Sequence, residues 1–310
     1  MLIEKTDVRA LAHENGLTPF SFSQVNLYTK CPLSWKLKYI DKIRDLERGS
    51  LPAIFGNAMH TTIQHYLKVF YNESSIVANE IDLVQLFKEQ FIIEFKLVSE
   101  KLGTKDFATS IDMLEFFNDA VEILDFFRKN RHKYFQKVGF KLIGVEVPLV
   151  VPTDLNKNIG FIGYLDIVLS DKNGNIYIKD LKTSISSWSD KKKKDLSTNA
   201  QLLLYKKYYA KQYNVDIKKI DVEFVILKRK VYNVGLYPTG RIQIHMPASG
   251  LPSIKKAEGL LNEALIHIFD VEGKPYEIDH PYADDIKKCK YCDYFKTSYC
   301  TRPTKKKKDV

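Results

Sequence analysis

Two acids and a lysine lie close together in a stretch otherwise built of apolar residues: Asp166 in Gly163-Tyr164-Leu165-Asp166, then Asp180 and Lys182 in Asp180-Leu181-Lys182. Between them Asp171-Lys172-Asn173-Gly174-Asn175 has the residues that a tight hairpin turn demands. A turn centred on Asn173-Gly174 sets Asp166 across from Asp180 on the returning strand. Alternation along a strand sends Asp180 and Lys182 to one face. Charges are costly to bury unpaired, which leaves two readings. One is an Asp–Lys ion pair at a strand end. The other is a divalent cation bridged by Asp166 and Asp180. Carboxylate oxygens suit Mg²⁺ or Mn²⁺, which take few protein ligands and bind phosphate readily. Lys182 would then orient an attacking water or stabilise charge growing on phosphorus.

Further groups fall on either side. Glu146 interrupts the apolar run Val145-Glu146-Val147-Pro148. His60 closes Phe55-Gly56-Asn57-Ala58-Met59-His60 on a helix, four residues before Gln64. Gln201 and Tyr205 are also four apart, hence on one helix face. Trp188 precedes Lys191-Lys192-Lys193-Lys194, a loop that could grip phosphates with the indole stacked on a base, or simply a solvated charge run. Cys289-Lys290-Tyr291-Cys292, Cys300 and the distant Cys31 could hold Zn²⁺ or a [4Fe–4S] cluster, the spacing alone leaving both open.

The elements that must position these groups follow from hydrophobic periodicity. Ser21 or Ser23 starts a helix interrupted near Cys31-Pro32, and a second helix spans Ile54 to about Tyr71. Apolar residues recur at three and four through 81–102 and 111–135, predicting two long amphipathic helices. The period then changes to that of strands over 142–151, 161–169 and 176–183. A helix over 198–213, strands near 222–228 and 241–246, and a helix near 253–269 complete the order. This predicts an α/β or α+β chain with a central mixed sheet flanked by helices and a helical insertion before the sheet. It reads as one domain over 1–300, with a helical part at 54–135, a sheet core at 140–247, a cysteine cluster at 289–300 and a basic tail at 301–310.

The net charge of +10 favours a polyanionic partner, although a lysine-rich surface gives the same sum. No apolar run approaches the roughly 18–20 residues a bilayer requires. The opening Met1-Leu2-Ile3-Glu4-Lys5 lacks the pattern of a signal peptide. Cytoplasmic residence follows as an expectation, in a cell or for a viral protein in its host, with the four cysteines as thiols or metal ligands. No G-x-x-x-x-G-K-[ST] is present, so a helicase would be a separate partner chain.

Taken in order, Gly56…His60, Glu146, Gly163-Tyr164-Leu165-Asp166, Asp180-Leu181-Lys182 and Gln201…Tyr205 resemble the motifs of the PD-(D/E)xK nuclease superfamily. The similarity is to its RecB-like branch, which holds the nuclease domains of RecB and AddB and the Cas4 and Dna2 proteins. The resemblance implies a restriction-endonuclease-like core and DNA hydrolysis, with an exonuclease acting on single strands or duplex ends as the expected mode. It assigns Asp166, Asp180 and His60 to a Mg²⁺ or Mn²⁺ ion and Lys182 to catalysis, with Gln201 and Tyr205 organising the site and the DNA and Glu146 a further site acid behind the direct ligands. The spread of Cys31, Cys289, Cys292 and Cys300 resembles the iron–sulfur clasp of the same branch, implying [4Fe–4S] rather than zinc. A Cas4-like role in CRISPR adaptation and a non-catalytic DNA-binding module on the same fold are the alternative functions.

Overall fold

The computed structural model describes residues 2–44, 46–231 and 240–303. Helix α1 (Val8–Glu14) is capped by Asp7, whose carboxylate accepts the Arg9 and Ala10 N–H groups. Strand β1 (Thr18–Ser21) leads directly into α2 (Phe22–Lys30). Cys31 separates α2 from α3 (Pro32–Tyr39), which begins on the proline that fits a first helical turn. Next come α4 (Leu51–Asn72), α5 (Ser75–Glu80), α6 (Leu83–Leu102) and α7 (Ser110–Tyr134). Thr109 and Asp112 form a reciprocal capping box at the start of α7.

The sheet follows as β2 (Lys141–Pro152), β3 (Ile159–Ser170) and β4 (Ile176–Ser184). Short α8 (Asp190–Lys194) and long α9 (Leu196–Tyr213) then cross to β5 (Ile220–Lys228). Strand β6 (Ile242–His245) and α10 (Leu251–Ile268) come last. Strands β2, β3 and β4 run antiparallel in sequence, β5 lies parallel to β4, and β6 returns antiparallel. The sheet is mixed, as expected.

Alternation along the strands divides the core in two. Ile178, Phe224 and Ile226 pack with Val25, Trp35, α9 and α10. Leu181, Val225 and Leu227 pack on the other face with α4, α6 and α7. Expected and observed elements agree to within a few residues, with α1 and β1 added at the start and the short helices α5 and α8 added within the chain.

Strand β1 decides where a site can form. It pairs in parallel with β3 over Ile159–Ile162, while β4 pairs with β3 only over Ile167–Ser170. Strand β2 occupies the whole opposite edge of β3. The edge shared by β1 and β4 therefore forks, leaving Gly163, Tyr164, Leu165 and Asp166 without a ladder partner on that side. The tail lysines, Lys305–Lys308, lie outside the described residues.

Candidate active site

The β3–β4 hairpin forms as its turn chemistry requires. Asp171 accepts the Asn173 and Asn175 N–H groups at 2.9 Å each, and Gly174 takes φ +76. The ladder ends at Ile167–Lys179, so the next step places Asp166 opposite Asp180. There the strands part, and the Asp166 side chain enters the gap, where its Oδ2 accepts the Leu181 N–H at 2.7 Å.

Helix α4 supplies the groups behind Asp166. Gly56 lets this helix approach β4, since a Cβ there would lie 3.3 Å from Thr183 Oγ1. One turn on, His60 Nδ1 is 3.4 Å from Asp166 Oδ2. Gln64, one further turn along the same face, donates to the Asp166 carbonyl at 3.1 Å and to Glu146 Oε1 at 2.8 Å. Glu146 has φ +50, a strained backbone for a residue with a Cβ. Gln64 had no role in the sequence motifs; its signal was the four-residue spacing from His60.

On the other strand, Lys182 Nζ lies 2.6 Å from Asp180 Oδ2. This ion pair is the buried oxygen's one polar contact among the described residues. Helix α9 brings Gln201, whose Nε2 donates to Tyr205 Oη at 3.1 Å. Gly163 makes room for that ring, since a Cβ there would lie 2.9 Å from it. Asp166, Asp180, Lys182, Gln201 and Tyr205 line one cavity of about 270 Å³ in the fork.

Burial dominates the electrostatics. It pushes the Asp166 carboxyl up to about 7 against the pull of Lys182, and Asp180 up to about 6. Burial, aided by Lys182, lowers the His60 imidazole to about 4, so the ring is neutral at physiological pH. Burial also opposes the Lys182 charge, but Asp180 and Asp166 outweigh it and hold the ammonium above its ordinary value. Tyr205 is pushed up by burial and then by Asp180, which keeps the phenol protonated. Among the described residues no three His, Cys, Asp or Glu side chains stand in a ligating arrangement, at the acids or at the cysteines. The donor chemistry nevertheless suits a hard divalent cation: two buried carboxylates face one cavity, and Asp180 Oδ2 is held only by the Lys182 ammonium.

The basic stretch differs from expectation. Trp188 is only 6% exposed, packed against Phe224 and His245 with Lys192 Nζ 4.2 Å above its ring. Its faces are taken by protein, so it is not a base-stacking platform. Lys191, Lys192, Lys193 and Lys194 form short α8 rather than a loop, with Lys191, Lys192 and Lys194 exposed. Lys192 lies within electrostatic reach of Lys182, which helps to lower it after burial. Arg229 and Lys230 are committed to Asp119 on α7.

All four cysteines are free thiols. Cys31 sits at the N-cap of α3, and Cys292 and Cys300 pack around Leu37 and Tyr294. Tyr294 Oη donates to the Ile43 carbonyl at 2.8 Å, and the Leu33 N–H donates to the Pro281 carbonyl at 3.0 Å. These contacts join the two cysteine-bearing segments. Burial raises the Cys31 thiol, with Cys292 and Cys289 near enough to add to the rise.

A mixed sheet covered on both faces, with acids and a lysine in its fork, defines a restriction-endonuclease-like nuclease fold. The chain belongs to the PD-(D/E)XK nuclease superfamily, whose family profile matches residues 19–300. Among solved structures it resembles the "Putative exonuclease" from Eubacterium rectale, with a TM-score of 0.51 and 12% identity over 97% of this chain and 96% of that one. At that identity the likeness is one of fold. No curated protein sequence matches the chain. Among the described residues, no helix is long and apolar enough to cross a membrane.

Proposed function

We propose that this nuclease is a Mg²⁺- or Mn²⁺-dependent deoxyribonuclease of the RecB-like branch, acting as an exonuclease on single strands or duplex ends during DNA processing. The observation that carries the reading is the meeting of Asp166, Asp180 and Lys182 in one cavity at the sheet fork. Asp166 and Asp180, with His60, would hold the cation, which would supply Lewis-acid polarisation of the phosphodiester.

The reaction is hydrolysis: the oxygen of water bonds to phosphorus as one P–O ester bond breaks, and the departing oxygen gains a proton. Lys182, kept protonated by its two acids, offers positive charge to the phosphoryl oxygens as they gain charge. Leu181 N–H and Gln64 hold the side chain and carbonyl of Asp166 in place. Gln201 and Tyr205, bonded to each other, face the same cavity and orient the strand.

The cysteines belong to the same reading. Four thiols on two joined segments support a structural [4Fe–4S] cluster, in preference to zinc, held by Cys31, Cys289, Cys292 and Cys300. A helicase in a separate chain is the expected partner.

The test is digestion of end-labelled DNA with Mg²⁺ or Mn²⁺ by the parent, Asp180→Ala and Lys182→Ala. Loss on the order of 10²-fold or more in each variant is expected, and undiminished cleavage in both overturns the site.

A further inference from the structure

The cavity in the fork continues beyond the acids. Its far wall is α1, where Val8 and Arg9 line the space together with Asp166, Asp180 and Lys182. An adjoining hollow of about 370 Å³ runs on along Lys5, Thr6, Asp7, Arg9 and Tyr164. This wall precedes residues 19–300, the stretch matched to the family.

The segment is firmly docked. Ile3 N–H donates to the Ile143 carbonyl at 2.8 Å, beside Gly144, where a Cβ would lie 2.7 Å from the Ile3 oxygen. Tyr164 Oη donates to the Thr6 carbonyl at 2.8 Å and accepts the Val8 N–H at 3.1 Å. Val8, Ala12 and Leu17 pack on Ile162. Tyr164 thus links the N-terminal segment to the strand that carries Asp166.

A phosphodiester entering this cavity meets two carboxylates, and Lys182 is already engaged by Asp180. The divalent cation proposed above would meet the scissile phosphate, so the flanking phosphate needs a cation of its own that no acid neutralises. Arg9 is exposed, and none of the ion pairs among the described residues involves it, whereas nearby Lys5 is paired with Glu146 at 3.5 Å. Its neighbour Asp7 lies within electrostatic reach but spends its carboxylate capping α1, accepting the Arg9 and Ala10 N–H groups. Ser21 and Ser23 line the cavity too, and the Ser21 side chain makes no capping hydrogen bond on α2. A guanidinium presents a fork of donors that matches two phosphate oxygens.

We propose that Arg9 binds the backbone phosphate next to the one hydrolysed. The inference rests on the nuclease reading above and adds the path of the strand, from Gln201 and Tyr205 past the acids to α1. The cation-holding acids at one phosphate and a guanidinium at the next would fix the register of the strand.

The test uses a short single-stranded oligonucleotide. In the Lys182→Ala background with Mg²⁺, which leaves the strand intact, Arg9→Ala should weaken binding by about 10-fold and lower the salt slope by about one. A neutral methylphosphonate scanned through the strand should, at the flanking position, cost the Arg9 protein a similar factor and the Arg9→Ala protein nothing more. With Lys182 present, Arg9→Ala should raise KM while kcat stays within about twofold, and Arg9→Lys should recover part of the loss. An unchanged salt slope with unchanged KM overturns the subsite, as does a methylphosphonate cost that ignores Arg9. A parent chain that binds the oligonucleotide without cutting it overturns the hydrolytic reading, and the Arg9 binding comparison still decides the subsite.

Discussion

Asp166 accepts the main-chain N–H of Leu181 at 2.7 Å, and this contact stands where the next rung of the β3–β4 ladder would be. The acid itself props open the fork in which it sits. Chemistry and architecture therefore share one carboxylate, and the two can be separated by substitution.

Asp166→Ala should leave the Leu181 N–H without its acceptor and cost about 1–3 kcal/mol of stability. Asp166→Asn keeps an acceptor oxygen and removes a buried charge, so its stability should lie much closer to that of the parent. Both variants should lose cleavage. Urea unfolding beside a nuclease assay measures the two effects, and an Asn variant as unstable as the Ala variant would show that the fork does not depend on this bond.

Gln64 should behave as a clamp. Its one amide nitrogen serves both the Asp166 carbonyl and Glu146. Gln64→Leu should lower stability by about 1–2 kcal/mol through the acceptors it abandons, and it should reduce kcat more than it raises KM. A variant with parental kcat would limit Gln64 to holding the fold.

How much of this was legible depends on how local each signal is. The β3–β4 hairpin could be read because Asp171, Asn173 and Gly174 set their own turn, and register then carried Asp166 to Asp180. Strand β1 was hidden: it has four residues, one of them Pro19, and its partner Ile159–Ile162 is remote in sequence. Without β1 the fork itself could not be foreseen, nor could the wall formed by Arg9. Trp188 misled for a related reason. An indole beside four lysines resembles surface, and its burial is decided by Phe224 and His245 on later strands.

Gly163 should tolerate no side chain while Tyr205 is present, because a Cβ there meets the tyrosine ring at 2.9 Å. Gly163→Ala should cost about 1–3 kcal/mol from overpacking and displace Tyr205 from the cavity. In a Tyr205→Ala background the same change should cost little, so the double-mutant cycle should show strong coupling. Additive effects would mean that the strand relaxes away from the ring.

The cysteines predict a colour. Protein prepared without oxygen should be brown and contain iron and sulfide, and Cys289→Ser should lose that colour and lower the melting temperature. Colourless protein carrying stoichiometric zinc would replace the cluster with a thiolate zinc site.

Helix α9, which carries Gln201 and Tyr205, is tied to the β2–β3 turn by Asp154, 2.5 Å from Lys207 and 2.7 Å from Lys211. Burial would raise the Asp154 carboxyl, but the two lysines outweigh it and hold it well below the usual carboxylate range. The unfolded chain binds this proton near pH 4, more readily than the folded one. The stabilisation is therefore complete above about pH 4 and is lost as acid titrates the folded carboxyl. With its side chain 46% exposed, Asp154 is screened by solvent, so Asp154→Asn should cost no more than about 1 kcal/mol at neutral pH. Urea midpoints of parent and variant should differ at neutral pH and converge as the solution is acidified below about pH 4. A gap that persists or widens in acid would show that Asp154 holds α9 by shape rather than by charge.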